Sequence, residues 1–262
     1  MIPCLSVLVL NRGDLLQRMI DSIDFPVDKF CIVQNGNDDT VSETIDNLKK
    51  THPQFVNKIY LQRPFRNMGV APAWNSIIKS FPECEYWLIA NNDTVFLPGD
   101  LEQYHNTWTR NPHALVAAAN GAFNCFIISP YVVAKVGLFD ENIWPIYHED
   151  VDYYVRMQRA GISRIPINSE IGYSNDGSWT IKSNPNYQGK NNITQSSNGK
   201  YVDEKWGNSQ QFSAPWNHAS RIVHDWHYDP YRRLEHSKVW NHFENTDNRI
   251  DRHANTGTNN NG

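Results

Sequence analysis

The chain has 262 residues, a formal net charge of −4, 40% hydrophobic residues and 20% charged residues. This composition is ordinary for a folded globular protein and excludes disorder throughout. The acidic balance provides no basic field for a nucleic-acid backbone, so we expect no nucleic-acid partner. The first apolar run, residues 4–10, is too short for a membrane span or a secretion signal. We therefore predict a cytoplasmic protein without a transmembrane segment.

Up to about residue 180, short apolar runs alternate with amphipathic stretches, which predicts an α/β fold with a mainly parallel sheet flanked by helices. Strands are predicted over residues 5–10, 30–34, 58–62, 86–90, 115–119, 125–129 and 164–167. Helices are predicted over residues 15–22, 40–50, 72–80, 130–136 and 149–160. The four cysteines lie in or beside apolar segments without metal-ligand spacing, so we expect buried, reduced thiols.

The composition changes at Lys182 to Asn, Ser, Gly and Gln, and the dipeptides Pro185-Asn186 and Asn191-Asn192 indicate long loops. We predict a loop-rich C-terminal extension, residues 182–262, that packs on an α/β domain of residues 1–181. The last residues cannot bury enough apolar surface to become ordered, which predicts a disordered tail from about residue 256.

Polar residues follow the first two predicted strands, as Leu10-Asn11-Arg12 and as Gln34-Asn35. Ligands of open α/β sheets bind at the carboxyl ends of the strands, where amide groups can read a nucleobase and a ribose. The same residue types are common in turns, so a purely structural role stays open. A third polar ending, Asn67-Met68-Gly69, leads into a helix with Asn75, and its glycine permits close approach of a phosphate.

The sequence Asn91-Asn92-Asp93 follows a predicted buried strand and contains a single carboxylate. Hard cations prefer carboxylate oxygen and need few protein ligands where phosphates supply the others. We therefore predict that Asp93 binds Mn²⁺ or Mg²⁺ beside a diphosphate leaving group. An Asx turn after the strand is the structural alternative.

An aromatic-rich loop, residues 139–148, leads directly into a predicted helix that opens on Glu149 and Asp150. Such a loop is typical of a carbohydrate platform, and we predict that it binds an acceptor through Trp144, Tyr147 and His148. A general base must come within hydrogen-bond reach of the acceptor hydroxyl, and Asp150 is placed for this role if the loop holds the acceptor.

The acids of this helix also have a structural explanation. Glu149 and Asp150 favour the positive end of the helix dipole, and Asp152 and Arg156 form an i,i+4 pair. The predicted helix ends before Gly161, which supplies a left-handed stop.

Taken together, these motifs resemble the family 2 type of GT-A glycosyltransferases. The resemblance spans about residues 3–180 and rests on five motifs in the family's order: Asn35-Gly36, Asn67-x-Gly69 with Asn75, Asn91-Asn92-Asp93-Thr94, Val136-Gly137-x-Phe139-Asp140-Glu141 and Glu149-Asp150-x-Asp152-x-x-x-Arg156-x-x-x-Ala160-Gly161. It implies an inverting transfer of a sugar from a nucleotide diphospho-sugar, a UDP-sugar in our prediction, to a hydroxyl of a carbohydrate or glycoconjugate acceptor.

The resemblance also implies roles for particular residues. Asp93 corresponds to the metal-binding carboxylate of the family's DxD motif, and Asp150 corresponds to its catalytic base. Asp150 and the adjacent Glu149 are the predicted catalytic residues. Asn91 replaces the first Asp of DxD, and Gln34 stands where many members carry an Asp. The predicted nucleotide-sugar-binding residues are Leu10, Asn11, Arg12, Gln34, Asn35, Asn67, Gly69, Asn75, Asn91 and Asn92.

The family often has a histidine after the last core strand as a further metal ligand, but residues 171–178 contain none. Asn175 or Asp176 can substitute, or a histidine of the extension, His218, His224 or His227, can fold back. The segment Tyr201-x-x-x-Lys205-Trp206-Gly207 resembles a C-terminal element of some bacterial and viral members, and such an element closes over the site.

Two other functions agree with the same motifs. A sugar-phosphate nucleotidyltransferase shares the nucleotide crevice, although the chain has no Gly-rich, basic phosphate loop after the first strand. A non-catalytic carbohydrate-binding protein on a decayed transferase scaffold agrees with the incomplete DxD, but the intact Glu149-Asp150 pair disfavours it.

Overall fold

The computed structural model describes residues 1–55, 57–65, 67–118, 123–167, 174–175 and 185–206. Its strands are β1 (Ile2–Val9), β2 (Val27–Gln34), β3 (Ile59–Gln62), β4 (Trp87–Asn91), β5 (Thr94–Val95), β6 (Leu115–Ala117), β7 (Cys125–Ile128), β8 (Arg164–Pro166) and β9 (Ser174–Asn175). Seven of them form one sheet in the order β3-β2-β1-β4-β7-β6-β8. Only β7 is antiparallel to its neighbours, so the prediction of a mainly parallel α/β sheet is confirmed.

The helices are α1 (Gly13–Asp21), α2 (Asp39–Thr51), α3 (Val70–Ser80), α4 (Asp100–Arg110), α5 (Pro130–Val136), α6 (Glu149–Arg159) and α7 (Pro185–Trp206). A short 3-10 helix covers Pro53–Phe55. Buried residues of α1, α2 and α4 share one hydrophobic core with the sheet, and those of α3, α5 and α6 share a second core. The sheet is therefore covered by helices on both faces.

Strand β4 illustrates why the sheet divides the molecule into two cores. Side chains alternate between the faces of a strand, so Leu88 and Ala90 belong to the core with α1, whereas Trp87 and Ile89 belong to the core with α3. All four side chains are buried. This burial on both faces explains why the strand is almost continuously apolar in the sequence.

Helix ends follow local capping chemistry. The side chain of Asp38 accepts a hydrogen bond from the Val41 amide at the start of α2, and Ser129 caps α5 through the Val132 amide. Gly161 follows α6 with a φ of 68°, as the sequence predicts for a left-handed stop.

Helix α4 is not among the predicted elements. Most of its residues are polar, and its contact with the core rests on the buried Leu101 and Tyr104 and the partly buried Trp108. Three apolar residues at spacings of three and four are a weak periodic signal in a polar segment.

The long loop predicted from Pro185-Asn186 and Asn191-Asn192 is wrong over residues 185–206, because this segment forms helix α7. Its buried stripe includes Thr194, Asn198, Tyr201 and Lys205. These positions are spaced by four, three and four residues, which is the period of one helix face. The apolar residues of the buried face, Tyr201, Val202 and Trp206, lie together near the end of the helix. A search for apolar periodicity therefore does not detect the helix as a whole.

The four cysteines are buried and form no disulfide, as predicted from their spacing. Within the described residues, no helix is long and apolar enough to cross a membrane.

Candidate active site

Three polar segments lie together at one edge of the sheet because β1 is parallel to both of its neighbours. Val9 is in register with Gln34 of β2, and Leu8 is in register with Asn91 of β4. The segments that follow these strands therefore emerge side by side, as expected for a ligand-binding edge. They are Leu10–Arg12, Gln34–Asn35 and Asn91–Asp93.

Gly36 brings the ends of β1 and β2 into close contact. A Cβ atom on Gly36 would lie 2.1 Å from the carbonyl oxygen of Leu10, so only glycine fits here without a shift of the backbone. The backbone amide of Asn35 donates a hydrogen bond to the carbonyl oxygen of Val9 at 2.7 Å. The predicted binding residue Leu10 is thus held at this edge by its backbone.

Two buried polar atoms at this edge have no hydrogen-bond partner in the described part of the chain, Asn11 Oδ1 and Thr94 Oγ1. Asn92 Nδ2 donates to the Asn11 carbonyl oxygen at 3.0 Å and connects the end of β1 with the end of β4. An unsatisfied buried polar group costs about 1–3 kcal/mol. A ligand with its own hydrogen-bonding groups can remove that cost.

Arg12 has a left-handed backbone with a φ of 66° and a guanidinium group that binds a neighbour. Its Nε and Nη2 atoms donate to the two carboxylate oxygens of Asp14 at 2.7 and 2.6 Å. This hydrogen-bonded pairing lowers the pKa of Asp14. A phosphate at Arg12 would therefore share the guanidinium with Asp14.

Asp93 lies between β4 and β5 and is only 4% exposed. Its neighbours in the sequence, Asn91, Asn92 and Thr94, carry amide and hydroxyl groups. No cluster of three or more His, Cys, Asp or Glu side chains suited to a metal occurs among the residues described. A divalent cation can take one protein carboxylate and complete its coordination with phosphate oxygens, so Asp93 is the residue of this edge that could hold one.

The loop before α3 is held by hydrogen bonds from amide side chains. Asn35 Nδ2 donates to Asn67 Oδ1 at 2.8 Å and to the Gly69 carbonyl at 3.2 Å, and Asn35 Oδ1 accepts from the Met68 amide at 2.8 Å. Asn67 Oδ1 also accepts from the Gly69 amide. Both donors of Asn35 are used within the chain. The Asn35 side chain therefore shapes this loop, and its direct contact with a nucleotide stays a prediction.

Asn75 and Gln34 are used by the chain in a similar way. Asn75 Nδ2 donates to the Phe139 carbonyl at 2.9 Å and to Glu141 Oε1 at 2.8 Å, and Asn75 Oδ1 accepts from the Phe139 amide. Gln34 donates to Ser42 and accepts from Arg63, both at 2.8 Å. Asn75 thus fixes the start of the aromatic loop, and Gln34 fixes the end of β2.

Trp144, predicted as an acceptor platform, lies inside the fold. It is 5% exposed, and its Cδ1 atom would be 2.6 Å from a Cβ atom on Gly69. The Val70 amide donates to the Pro145 carbonyl at 2.8 Å beside it. The indole therefore joins the aromatic loop to the loop before α3 and has little open surface for a sugar. Tyr147 and His148 remain partly exposed.

A strained turn leads into α6. Tyr147 and His148 have φ values of 77° and 75°, a left-handed conformation that residues with a side chain seldom adopt. Such residues cost about 1–3 kcal/mol each and cluster at functional sites. The turn delivers Glu149 and Asp150 at the first positions of α6.

The two carboxyl groups at the start of α6 have different environments. Glu149 is buried, and burial together with the negative charge of Asp150 raises the pKa of Glu149 well above 4.5, against hydrogen bonds from its own amide and from that of Tyr147. Asp150 is partly exposed, and its Oδ1 atom accepts from the Val151 amide at 2.8 Å. Of these two carboxyl groups, that of Asp150 is therefore the one that solvent can reach, and its negative charge raises the pKa of Glu149.

A buried ionic cluster that the sequence did not predict lies beneath this turn. Lys205 of α7 is 1% exposed, and its Nζ atom lies 2.7 Å from Asp140 Oδ2 and 2.6 Å from Asp152 Oδ1. Asp152 also pairs with Arg156 at 2.8 Å, so the predicted i,i+4 pair is confirmed. Two cations thus balance two carboxylates. A lysine in a polar, Asn-rich segment gives no sequence signal for such burial.

Burial alone would raise the pKa of Asp140, but the Lys205 ammonium and hydrogen bonds from Lys205, Asn142 and Tyr201 lower it below its ordinary value. The carboxylate of Asp140 is therefore ionised in the folded protein over the physiological pH range.

Several predicted groups lie outside the described residues, and for one further residue the structure describes only the backbone. Asn175 belongs to β9 by its backbone, which pairs with Thr94. The other groups are not described: Asp176, His218, His224, His227, Gly207 and the tail from residue 256.

No protein-family model matches the sequence, and a search of curated proteins gives no significant match. Solved structures are similar in fold. The mannosyltransferase PcManGT from Pyrobaculum calidifontis, in complex with GDP-Man and Mn²⁺, has a TM-score of 0.56 at 12% identity. The alignment covers 98% of this chain and 76% of PcManGT.

Two further structures extend the likeness. GalNAc-T7 with UDP, GalNAc and Mn²⁺ has a TM-score of 0.61 at 10% identity, over 80% of this chain and 49% of that one. TarS residues 1-349 from S. aureus in complex with UDP has a TM-score of 0.50 at 13% identity, over 66% of this chain and 59% of that one. This chain thus spans about half of the GalNAc-T7 structure and 59% of the TarS structure. At these identities the likeness establishes one conclusion: the chain has the α/β fold of GT-A-type glycosyltransferases.

Proposed function

We propose that the protein is a metal-dependent, inverting glycosyltransferase that transfers a sugar from a nucleotide diphospho-sugar to a carbohydrate or glycoconjugate hydroxyl. The observation that carries the proposal is the pairing of a polar strand edge with a strained turn that presents Asp150. The fold agrees, because similar structures are complexes with UDP or GDP-Man.

The donor nucleotide lies at the ends of β1 and β4 in this proposal. Asn11 and Asn92 supply amide groups, and the buried Asn11 Oδ1 offers an acceptor to a donor group of the nucleobase or the ribose. Arg12 stands at the start of α1, where a guanidinium and helix N–H groups favour phosphate. Gln34, Asn35, Asn67, Gly69 and Asn75 shape this site by their contacts within the chain. We propose a UDP-sugar as the donor.

Asp93 would hold Mn²⁺ or Mg²⁺ together with the diphosphate oxygens. A divalent cation bound there supplies positive charge that stabilises the negative charge of a departing diphosphate. The Thr94 hydroxyl next to Asp93 has no hydrogen-bond partner among the described residues and can donate to the same phosphate.

Asp150 acts as the general base in this proposal. Its carboxylate accepts the proton of the acceptor hydroxyl, and the hydroxyl oxygen forms a bond to the anomeric carbon. The bond between that carbon and the diphosphate oxygen breaks in the same step, so the sugar configuration inverts. Tyr147 and His148 lie directly before the base and contact the acceptor.

Burial and the negative charge of Asp150 raise the pKa of Glu149 well above its ordinary value. This shift disfavours a second negative charge beside the base. The carboxyl group of Glu149 accepts hydrogen bonds from the Tyr147 and Glu149 amides and stabilises the strained turn. Glu149 is in this way a positioning residue rather than the proton acceptor.

Thermal unfolding with nucleotides tests the proposal. A ligand that binds only the folded state raises its stability in proportion to ln(1 + [L]/Kd). We expect UDP with Mn²⁺ to raise Tm more than UDP with EDTA, and more than GDP with Mn²⁺. A protein whose Tm responds to no nucleoside diphosphate in the presence of Mn²⁺ or Mg²⁺ would refute the donor site.

A further inference from the structure

Helix α7 makes two kinds of contact with the segment that carries Asp150. The first is with the strained turn itself. Asn198 Nδ2 donates to the Ile146 carbonyl at 2.9 Å and to the Tyr147 carbonyl at 3.2 Å. The Asn198 side chain is fully buried, so water has no access to replace it. One amide group thus pairs with two successive carbonyl groups of a partly buried turn.

The next residue of α7 provides space for the turn. A Cβ atom on Gly199 would lie 3.1 Å from His148 Nε2 and 3.3 Å from His148 Cε1. Glycine therefore lets the helix backbone approach the imidazole ring more closely than any other residue would. Asn198 and Gly199 therefore both accommodate the left-handed turn before Glu149. Asn198 donates hydrogen bonds to its carbonyl groups, and Gly199 leaves space for the His148 ring.

The second contact fixes both ends of the same segment. Lys205 forms ion pairs with both Asp140 and Asp152. Asp140 lies at the start of the aromatic-rich loop, and Asp152 lies in the first turn of α6. Tyr201 donates to Asp140 Oδ2 at 2.8 Å, and Trp206 Nε1 donates to Asp152 Oδ1 at 3.0 Å. The segment from Asp140 to Asp152 is therefore held by α7 at its start, at its turn and at its end.

We propose that Asn198 is a positioning residue for Asp150, with Lys205 holding the ends of the segment that Asn198 fixes. This inference rests on the proposed function, because it assigns α7 to the placement of the proposed base. The left-handed conformation of Tyr147 and His148 is unfavourable by itself, so it needs external contacts to persist. The two hydrogen bonds that Asn198 donates to the carbonyl groups of the turn supply these contacts. In this role no residue of α7 needs to touch the substrate.

The test uses the full chain with Asn198→Leu, which keeps the side-chain volume and removes the donor. Gln195→Leu is the matched control, since it removes an amide from the exposed face of the same helix. Hydrogen exchange of residues 145–152 is measured first. We expect about tenfold faster exchange in Asn198→Leu and no change in Gln195→Leu. Unchanged exchange in Asn198→Leu would overturn the proposal.

Donor hydrolysis then separates positioning from general stability. With UDP-sugars and Mn²⁺, we expect kcat of Asn198→Leu to fall about 10²-fold, because misplacement of a catalytic group by about 1 Å has that effect. The Kd for UDP should stay within about twofold. Equal loss of kcat and UDP affinity would contradict a role specific to the base.

A second variant, Gly199→Ala, covers the case in which Asn198→Leu does not fold. Alanine has a higher helix propensity than glycine, but its Cβ atom would lie 3.1 Å from His148 Nε2, closer than an ordinary contact. We expect a lower kcat without a lower Tm, and an unchanged kcat together with unchanged exchange of residues 145–152 would refute the proposal. If the wild type binds no UDP and no GDP, the proposed function fails, while the exchange data still decide whether Asn198 holds the turn.

Discussion

Glu149 and Asp150 are neighbours in sequence, yet the first is buried and the second is partly exposed. The negative charge of Asp150 adds to burial in raising the pKa of Glu149. Neighbouring carboxyl groups in different environments can take different roles in proton transfer. Here the accessible carboxyl group is that of Asp150, and the buried carboxyl group with the raised pKa is that of Glu149.

The first prediction concerns the effect of Glu149 on stability. Its folded pKa is raised, so its stabilising contribution is complete below about pH 4.5 and is lost as pH rises through the folded pKa. Glu149→Gln mimics the protonated acid. We expect no change in Tm near pH 4 and a higher Tm near pH 8, by about 2–4 °C for each kcal/mol gained. The exposed Glu204→Gln is the control. A gain that is the same at both pH values would contradict the assignment.

The second prediction concerns the metal. Asp93 is buried, so Asp93→Asn is preferable to a truncation because it keeps the side-chain volume. We expect Mn²⁺ to increase UDP affinity in the wild type, and this increase to fall at least about tenfold in the variant. Calorimetric titration of UDP with and without Mn²⁺ measures it. Asp46→Asn, on the exposed face of α2, should behave as the wild type. An unchanged effect of Mn²⁺ in Asp93→Asn would remove Asp93 from the metal site.

The third prediction concerns the buried ionic cluster. Lys205→Met leaves Asp140 and Asp152 without their shared cation, and removal of one partner of a buried ion pair costs about 3–5 kcal/mol. Urea unfolding should show a loss of this size. Lys200→Met removes an exposed charge from the same helix and should change the free energy of unfolding by less than about 0.5 kcal/mol. A loss below about 1 kcal/mol for Lys205→Met would show that the cluster is not buried as described.

The fourth prediction concerns Gly69. Gly69 and Gly137 have nearly the same backbone conformation, φ 86° and ψ 178° against φ 90° and ψ −176°. A Cβ atom would be 2.6 Å from Trp144 at Gly69 but at an ordinary 3.5 Å from Arg156 Nη1 at Gly137. Both alanine variants carry backbone strain of about 1–3 kcal/mol. Gly69→Ala adds the clash with the indole, so urea unfolding should show a larger loss of stability for it. Equal losses would mean that Trp144 moves away without cost.

The sequence predicts the centre of the sheet well because the central strands are buried on both faces. Trp87 to Ala90 is an unbroken apolar run, and such runs identify strands of parallel sheets without knowledge of their partners. Parallel pairing then places Gln34 and Asn91 at one edge, which follows from the fold class alone.

The details of the site depend on contacts between residues far apart in the chain. Asn75 is a predicted donor-binding residue, but its amide is used by Phe139 and Glu141, more than sixty residues later. An amide side chain looks the same in the sequence whether it binds a ligand or the backbone.

Helix α7 shows a second limit of the same kind. Its buried face has an apolar part, Tyr201, Val202 and Trp206, which packs with Ile143 and Val155. Burial of Asn198 and Lys205 on the same face depends on hydrogen bonds and ion pairs with the segment from Asp140 to Asp152. Hydrophobic periodicity carries no information about the polar part of this face. The partners of Lys205 are visible only once the chain is folded.

The central claim is that Asp150 is the base of a sugar transfer from a nucleotide diphospho-sugar. Release of nucleoside diphosphate from a panel of UDP- and GDP-sugars, with Mn²⁺ and saturating donor, tests it most directly. The wild type should release the nucleotide, and Asp150→Asn should bind the donor equally well but turn it over about 10²–10⁴-fold more slowly. Release at the wild-type rate by Asp150→Asn, or no release by the wild type from any donor, would contradict the account.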